Sequence, residues 1–387
     1  MRRGLWAGVA ILAASVAVLG AIRATAVQSK PVSRAPVFEV DPFWPKPLPN
    51  HWVLGSTIGL SVDERDHVFV LHRPATVDVE LKAAAVTPPV GACCTPAPPV
   101  LEFDPAGTLV KAWGGPGRGY DWPVREHGLT VDHAGNVWIG GNDDTDSHIL
   151  EFARDGTFIR QIGRPGQKAG SNDRGNFWRP AKVIVDPTTN EAYIADGYGN
   201  RRVVVIDAST GAYKRHWGAY GGVPDDAPVP EYSPAAPPSK QFNTVHCAMV
   251  SGDGLVYVCD RVNDRIQVFR KDGTFVKEAF YDTATRRSGS VWDIAFSRDP
   301  QQRYLYVADG VNEKIRIVDR QTLEVLTSFG DGGRQPGQFY GVHNLATDSR
   351  GNLYTTETYN GARIQRFIYK GERPVTSPNQ GVPWPRR

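Results

Sequence analysis

Residues 242–269 read FNTVHCAMVSGDGLVYVCDRVNDRIQVF, and this stretch decides the fold. Residues 246–250 are an apolar strand. Ser251-Gly252-Asp253-Gly254 is a turn, because Gly and Asp supply the backbone conformations that turns require. Residues 256–260 are a second strand of β-branched and aromatic side chains, and after a short polar loop 265–269 are a third. Short runs with two-fold alternation mark β structure.

Working outward, the cadence occurs six times. Residues 58–63 lead to 68–73, 127–132 to 137–139, 181–186 to 192–196, 246–251 to 256–260, 292–297 to 305–309 and 343–348 to 353–355. Third strands are expected at 100–103, 149–152, 202–206, 265–269, 314–318 and 363–367, with outer strands at 158–162, from Phe275 and at their equivalents. The copies start 46 to 69 residues apart, as propeller blades with insertions do. Six small antiparallel sheets cannot each bury a core. Set radially, they bury their faces against one another, and closing the ring removes the exposed ends. The expectation is an all-β fold, a six-bladed β-propeller over 51–370. An open solenoid or a pair of sandwiches suits the regular repeat less well. Residues 27–50 are expected as an extended leader, 74–99 and 219–240 as surface insertions, and 371–387 as a C-terminal tail.

The 387 residues include 44 Lys and Arg against 41 Asp and Glu. So even a balance excludes the electrostatic footprint of a nucleic-acid binder. Arg2 and Arg3, an apolar run from Leu5 to Ile22, Arg23 and Ala24-Thr25-Ala26 read as a secretory signal over 1–26, with an uncleaved membrane anchor as the alternative. That segment has three Arg and no acid, so the rest carries 41 charges of each sign. The protein is expected to be exported, periplasmic or extracellular, and monomeric. Membrane contact is expected only through an uncleaved N-terminal segment. Cys247 and Cys259 flank the 251–254 turn, and a disulfide between them depends on strand register. Cys93 and Cys94 read as two loop thiols, with a vicinal disulfide or a metal contact as alternatives.

The aligned copies begin with Ile58, His127, Ala181, His246, Trp292 and His343. Three of the nine His therefore share one position on alternate blades, a third of a turn apart in a closed ring. Their imidazoles converge on the channel as three nitrogen ligands, with an open position for water or substrate. Zn2+ suits such a set first, and Fe2+, Co2+ or Mn2+ also accept imidazole. A lone His is more often a hydrogen-bonded core residue than a ligand, and three in one register reverse that preference. The residues after the second strands open on the same end of the channel, among them Arg73, Asn142, Tyr198 and Arg261. A guanidinium fork facing a metal asks for an anion, most simply a carboxylate. The ordinary alternative for Arg73 and Arg261 is a salt bridge to Asp196, Asp260 or Glu357. Tyr198 is a candidate base or proton donor, or else an aromatic packing residue of the rim.

The repeats resemble NHL repeats, most clearly at 242–269 and 339–367. More closely, most of 50–370 resembles the peptidyl-α-hydroxyglycine α-amidating lyases, six-bladed enzymes with one zinc-binding His in each of three alternate blades. His127 in His-Gly-Leu-Thr-Val-Asp, His246 in Phe-Asn-Thr-Val-His and His343 match those ligands. The family's catalytic Tyr lies in Asp-Gly-Tyr-x-Asn, here 196–200 with Tyr198. Its Arg in Asp-Arg-x-Asn matches Arg261, and its early-blade Arg after a His matches Arg73 after His72. The resemblance implies a zinc-dependent carbon–nitrogen lyase. It would cleave a carbinolamide, N–CH(OH)–COO−, to an amide and glyoxylate on a small carboxylate-bearing or peptide substrate. Tyr198 would move the proton, and Arg73 and Arg261 would hold the carboxylate. The resemblance also implies a structural Ca2+ at positions matching Asn344 and Leu129. The family has Asp where this chain has Asn344, and the lost charge lowers the expected calcium affinity. Two other readings stand beside this one. The first is another metal-dependent lyase or a hydrolase acting on a small carboxylate. The second is an exported NHL propeller that binds protein or glycan without catalysis.

Overall fold

The structure, a computed structural model, describes residues 33–385. The signal or anchor expected at 1–26 lies outside the described residues. Among the described residues no helix is long and apolar enough to cross a membrane.

Six four-stranded antiparallel sheets form the blades. Their inner strands are Thr57–Val62, Glu126–Val131, Lys182–Asp186, Val245–Val250, Asp293–Phe296 and Val342–Thr347. Each packs beside the next and the sixth returns to the first, so the ring is closed. Within blades two to five the chain steps outward through short turns, whereas in blade one the insertion separates the second strand from the third. The fourth blade runs Val245–Val250, Leu255–Asp260, Arg265–Arg270 and Phe275–Phe280. The buried apolar side chains fall into six clusters, one per seam between blades. In one of them Val203 and Val205 of the third blade meet Val245, Val256 and Phe269 of the fourth. Each such side chain contributes about 1.5–3 kcal/mol by leaving water, so the seams hold the ring together.

One segment departs from the sequence reading. Arg34–Asp41, expected within an extended leader, is the outer strand of the sixth blade. It pairs antiparallel with Arg363–Pro374, which runs past the expected end of the propeller at 370. Ala35, Phe38 and Val40 are buried, and Phe38 packs on Tyr306 and Phe329 of the fifth blade.

A polar device also repeats. The second strands of blades three to six end in buried acids, Asp196, Asp260, Asp309 and Glu357. Each pairs with an Arg of the third strand: Arg202 at 2.8 Å, Arg265 at 2.7 Å, Arg316 at 2.6 Å and Arg363 at 2.6 Å. The other oxygens of Asp196, Asp260 and Glu357 accept the backbone N–H of Trp178, Asn243 and Tyr340. Those residues lie in the loops that lead to the inner strands. The acid therefore fixes where each of these inner strands begins, which is where the aligned first residues stand. Cys247 and Cys259 face each other across the first two strands of blade four and are joined as a disulfide. Cys93 and Cys94 are joined to each other in the first insertion.

Candidate metal centre

Successive residues of a regular strand point to opposite faces. The inner strands of blades two, four and six break that rule near their starts. Register slips between His127 and Leu129, between Val245 and Cys247, and between Val342 and Leu345. Blade one has a similar slip between Thr57 and Gly59, whereas the inner strands of blades three and five pair without one. A bulge of this kind re-aims a side chain, and three of the four carry a His. Gly128 makes the first one feasible. Its φ is +68°, and a Cβ there would lie 2.1 Å from the Ala181 carbonyl oxygen.

The centroids of the His127, His246 and His343 rings form a nearly equilateral triangle with sides of 5.0, 5.0 and 4.9 Å. One nitrogen of each ring lies within 4.8 Å of the others, and all three rings are buried. Each Nδ1 is engaged outward. His127 donates to the Ala181 carbonyl at 2.8 Å, His246 to the Trp292 carbonyl, and His343 to Asn344 Oδ1 at 2.7 Å. A carbonyl only accepts, so these bonds place the proton on Nδ1 and leave Nε2 unprotonated, with its lone pair as the donor atom for a metal. Burial, reinforced by Arg73, Arg261 and the other imidazoles, holds the rings neutral. His127 and His246 lie well below the ordinary value and His343 is lowered to about 3. Three neutral, oriented nitrogens in a buried triangle fit a divalent transition metal.

Tyr198 reaches the same point because Gly197 has no side chain. A Cβ there would stand 2.2 Å from the backbone nitrogen of Val245. The Tyr198 hydroxyl lies 3.0 Å from Nε2 of His127, 3.0 Å from Nε2 of His246 and 3.0 Å from Nη1 of Arg261. The Arg261 guanidinium sits over the rings of Tyr198 and Trp292, at 5.1 and 4.9 Å, and its buried Nε has no partner among the described residues. Arg73 Nε donates to the Glu126 carbonyl and Nη2 to Asn142 Oδ1, each at 2.9 Å. Burial and the nearby Arg125 push Arg73 down to about 10, so it remains a cation at neutral pH. Salt bridges to Asp196, Asp260 or Glu357 are not formed by these two. Those acids are taken by Arg202, Arg265 and Arg363. Among the described residues Arg73 and Arg261 have no carboxylate partner.

The sequence reading missed a third guanidinium. Arg179 Nε donates to the Asn142 carbonyl at 2.8 Å, and its guanidinium lies 5.9 Å from the Tyr198 ring centroid. Asn142 thus joins Arg73 through its side chain to Arg179 through its backbone. Arg179 stands two residues before Ala181, where blade two has Arg125 before His127, and that register position was the available signal.

At the calcium position expected at Asn344 and Leu129, the Asn344 side chain offers no free oxygen. The Asn344 amide oxygen is engaged by His343 Nδ1 and by Thr356 Oγ1 at 3.2 Å, and its Nδ2 donates to Asp293 Oδ2 at 3.1 Å. Asp293 in turn holds the Lys182 ammonium at 2.8 and 2.7 Å. The Leu129 side chain packs in the seam between blades one and two. The residues present do not fit a second divalent ion.

No protein-family model matches the chain. It is 30% identical over 233 residues to the peptidyl-glycine alpha-amidating monooxygenase B of Xenopus laevis, an alignment covering 58% of this chain and 24% of that protein. It is 23% identical over 291 residues to the peptidyl-alpha-hydroxyglycine alpha-amidating lyase 1 of Drosophila melanogaster, covering 70% and 49%. It is 24% identical over 362 residues to the NHL repeat-containing protein 3 of Mus musculus, covering 91% and 86%. The chain thus spans about a quarter of the length of the amidating monooxygenases that it matches. A solved streptogramin B lyase structure superposes with a TM-score of 0.52 at 11% identity over 86% of this chain and 98% of that one, a likeness of fold. The chain is a six-bladed β-propeller whose homologues include peptidyl-alpha-hydroxyglycine alpha-amidating lyases and NHL repeat proteins.

Proposed function

We propose that the three-His centre belongs to a metal-dependent lyase that breaks the C–N bond of an α-hydroxyglycine-type carbinolamide, giving an amide and glyoxylate. The observation that carries this reading is the Tyr198 hydroxyl, 3.0 Å from two candidate ligand nitrogens and from Arg261. It is a proton-transfer group held where a substrate oxygen would meet the metal. A divalent ion on the three Nε2 atoms, Zn2+ by the donor set or Fe2+, supplies Lewis acidity towards an α-hydroxyl oxygen. In R–CO–NH–CH(OH)–COO− the hydroxyl proton leaves oxygen, the C–N bond breaks and the nitrogen gains a proton. The products are R–CO–NH2 and OHC–COO−, and no oxidant is needed. Tyr198 is placed to take that proton and return it to the departing nitrogen. Arg261, which has no carboxylate partner among the described residues, is placed to meet the substrate carboxylate, and the buried Arg73 and half-buried Arg179 add positive charge beside it.

The reading extends to place and partners. The protein is exported, periplasmic or extracellular, and acts as a monomer on a small carboxylate-bearing or peptide substrate. The apolar run within 1–26 and the two disulfides support export. The test uses N-benzoyl-α-hydroxyglycine, with glyoxylate release and metal content measured on the same preparation. Near-stoichiometric transition metal and glyoxylate release are expected, both lost in His246→Ala. Turnover by metal-free protein rejects the reading. Bound metal without glyoxylate release transfers the site to another lyase or a hydrolase of small carboxylates. Failure to take up metal on reconstitution favours a non-catalytic propeller.

A further inference from the structure

One residue beyond the His positions, the inner strands carry a charge pair that the proposed chemistry does not use. Lys182 stands there in blade three, Asp293 in blade five and Asn344 in blade six. The Lys182 ammonium bonds both oxygens of Asp293, at 2.8 and 2.7 Å. Lys182 is 4% exposed and Asp293 0%. The pair lies across the channel. Lys182 also lines a cavity of about 220 Å³ that includes Leu60, Thr130, Ile184, Met249, Ala295 and Leu345, one residue from each inner strand.

Asp293 binds more than the ammonium. Its Oδ2 also accepts Asn344 Nδ2 and the Leu345 backbone N–H, each at 3.1 Å. Asn344 Oδ1 accepts His343 Nδ1 at 2.7 Å. A chain of polar contacts therefore runs from Lys182 through Asp293 and Asn344 to one imidazole of the metal triangle. A carboxylate buried this deeply needs a cation beside it, since an isolated buried charge is strongly unfavourable. In a channel walled by six strands the cation is either a bound ion or a side chain. A side-chain ammonium is tethered, cannot diffuse away and carries one charge, which matches one carboxylate.

We propose that Lys182 is the resident cation of the channel, its ammonium standing in the place of a second metal ion. The chain then loads one ion only, at the His triangle, and does not depend on calcium for its fold. This holds whichever reaction the His centre performs.

The experiment compares full-length wild type, Lys182→Met and the double variant Lys182→Met/Asp293→Asn. Each is dialysed against CaCl2 and then against calcium-free buffer. Retained metals are counted by elemental mass spectrometry, and thermal unfolding is followed with and without CaCl2, using NaCl of equal ionic strength as control. Wild type is expected to retain no calcium and to melt at one midpoint in both buffers. Lys182→Met leaves the Asp293 carboxylate unbalanced, so its midpoint falls, and CaCl2 but not NaCl raises it. The double variant removes both charges, recovers midpoint relative to Lys182→Met and ignores calcium. It keeps the comparison readable if Lys182→Met does not fold. Stoichiometric calcium in wild type, or a wild-type midpoint that rises with calcium, overturns the proposal. So does a Lys182→Met protein that matches wild type without calcium, or one that calcium leaves unmoved.

Discussion

Tyr198 and Arg179 stand at the same spot, and substitution separates the roles proposed for them. Tyr198→Phe keeps the ring that Arg261 and Arg179 lie against and removes the hydroxyl alone. The imidazole Nδ1 contacts do not involve it, so metal content should be unchanged. Loss of a positioned proton-transfer group is expected to lower kcat by about 10²–10⁴-fold. Undiminished glyoxylate release would remove Tyr198 from the chemistry. Arg179 is predicted to act on binding. A hydrogen bond from a charged group is typically about 1.5–3 kcal/mol, so Arg179→Gln should raise KM roughly tenfold or more with little change in kcat. Equal losses in kcat and kcat/KM would place it at the transition state instead. The residues legible in advance were those that repeat. His recurs at one register position on alternate blades, and that recurrence is visible in the sequence. One residue on, the same alignment reads Gly59, Gly128, Lys182, Cys247, Asp293 and Asn344. Lys182, Asp293 and Asn344 are unlike one another, and they meet only across the axis, a relation that no linear spacing contains.

At the scale of the strand and turn, two positions test how the blades aim their side chains. Gly128→Ala puts a methyl where the Ala181 carbonyl stands, at a φ of +68°. That carbonyl is also the acceptor for His127 Nδ1. The strain is worth about 1–3 kcal/mol. The displaced acceptor should weaken metal binding by about ten- to a hundredfold, read by competition with a chelating dye. Wild-type affinity in Gly128→Ala would show that the bulge does not set the ligand. Asp264 closes the turn between the second and third strands of blade four at a φ of 53°. Its Oδ1 accepts the Ser290 N–H at 2.7 Å, while its buried Oδ2 has no hydrogen-bond partner among the described residues. Burial pushes this carboxyl up from 3.8 to about 7. The fold therefore favours the protonated form. Its contribution is complete below the ordinary carboxylate value and is lost as the pH rises through about 7. Asp264→Asn keeps a residue that tolerates positive φ and removes the charge. Its thermal midpoint should exceed that of wild type in alkaline buffer, with the difference shrinking as the pH falls towards the carboxylate range. A gap that widens on acidification would contradict the assignment.

Across the whole molecule, the blades were legible because each is local. Most neighbouring strands of a blade are joined by short turns, and hydrophobic alternation and turn chemistry report them. The closing strand was not. Residues 37–40 alternate only briefly between Pro36 and Pro42, and Asp41 pairs with Arg366, far beyond the reach of any hairpin signal. Yet this strand completes the sixth blade, which holds His343, against the fifth. A chain begun at Ser33 and a chain begun at Phe43 differ by this strand. The second loses the burial of Phe38 and Val40, about 1.5–3 kcal/mol each, and leaves Arg363–Pro374 as an open edge. Against a native stability of about 5–15 kcal/mol, that is a large share. The shorter chain should melt lower, self-associate with rising concentration and hold its metal more weakly, because the blade that carries His343 loses its outer support. A synthetic peptide of residues 33–42 added in trans should recover part of all three properties. If the two chains melt together, remain monomeric and bind metal equally, the ring is closed by its seams alone and the strand is an ornament on the sixth blade.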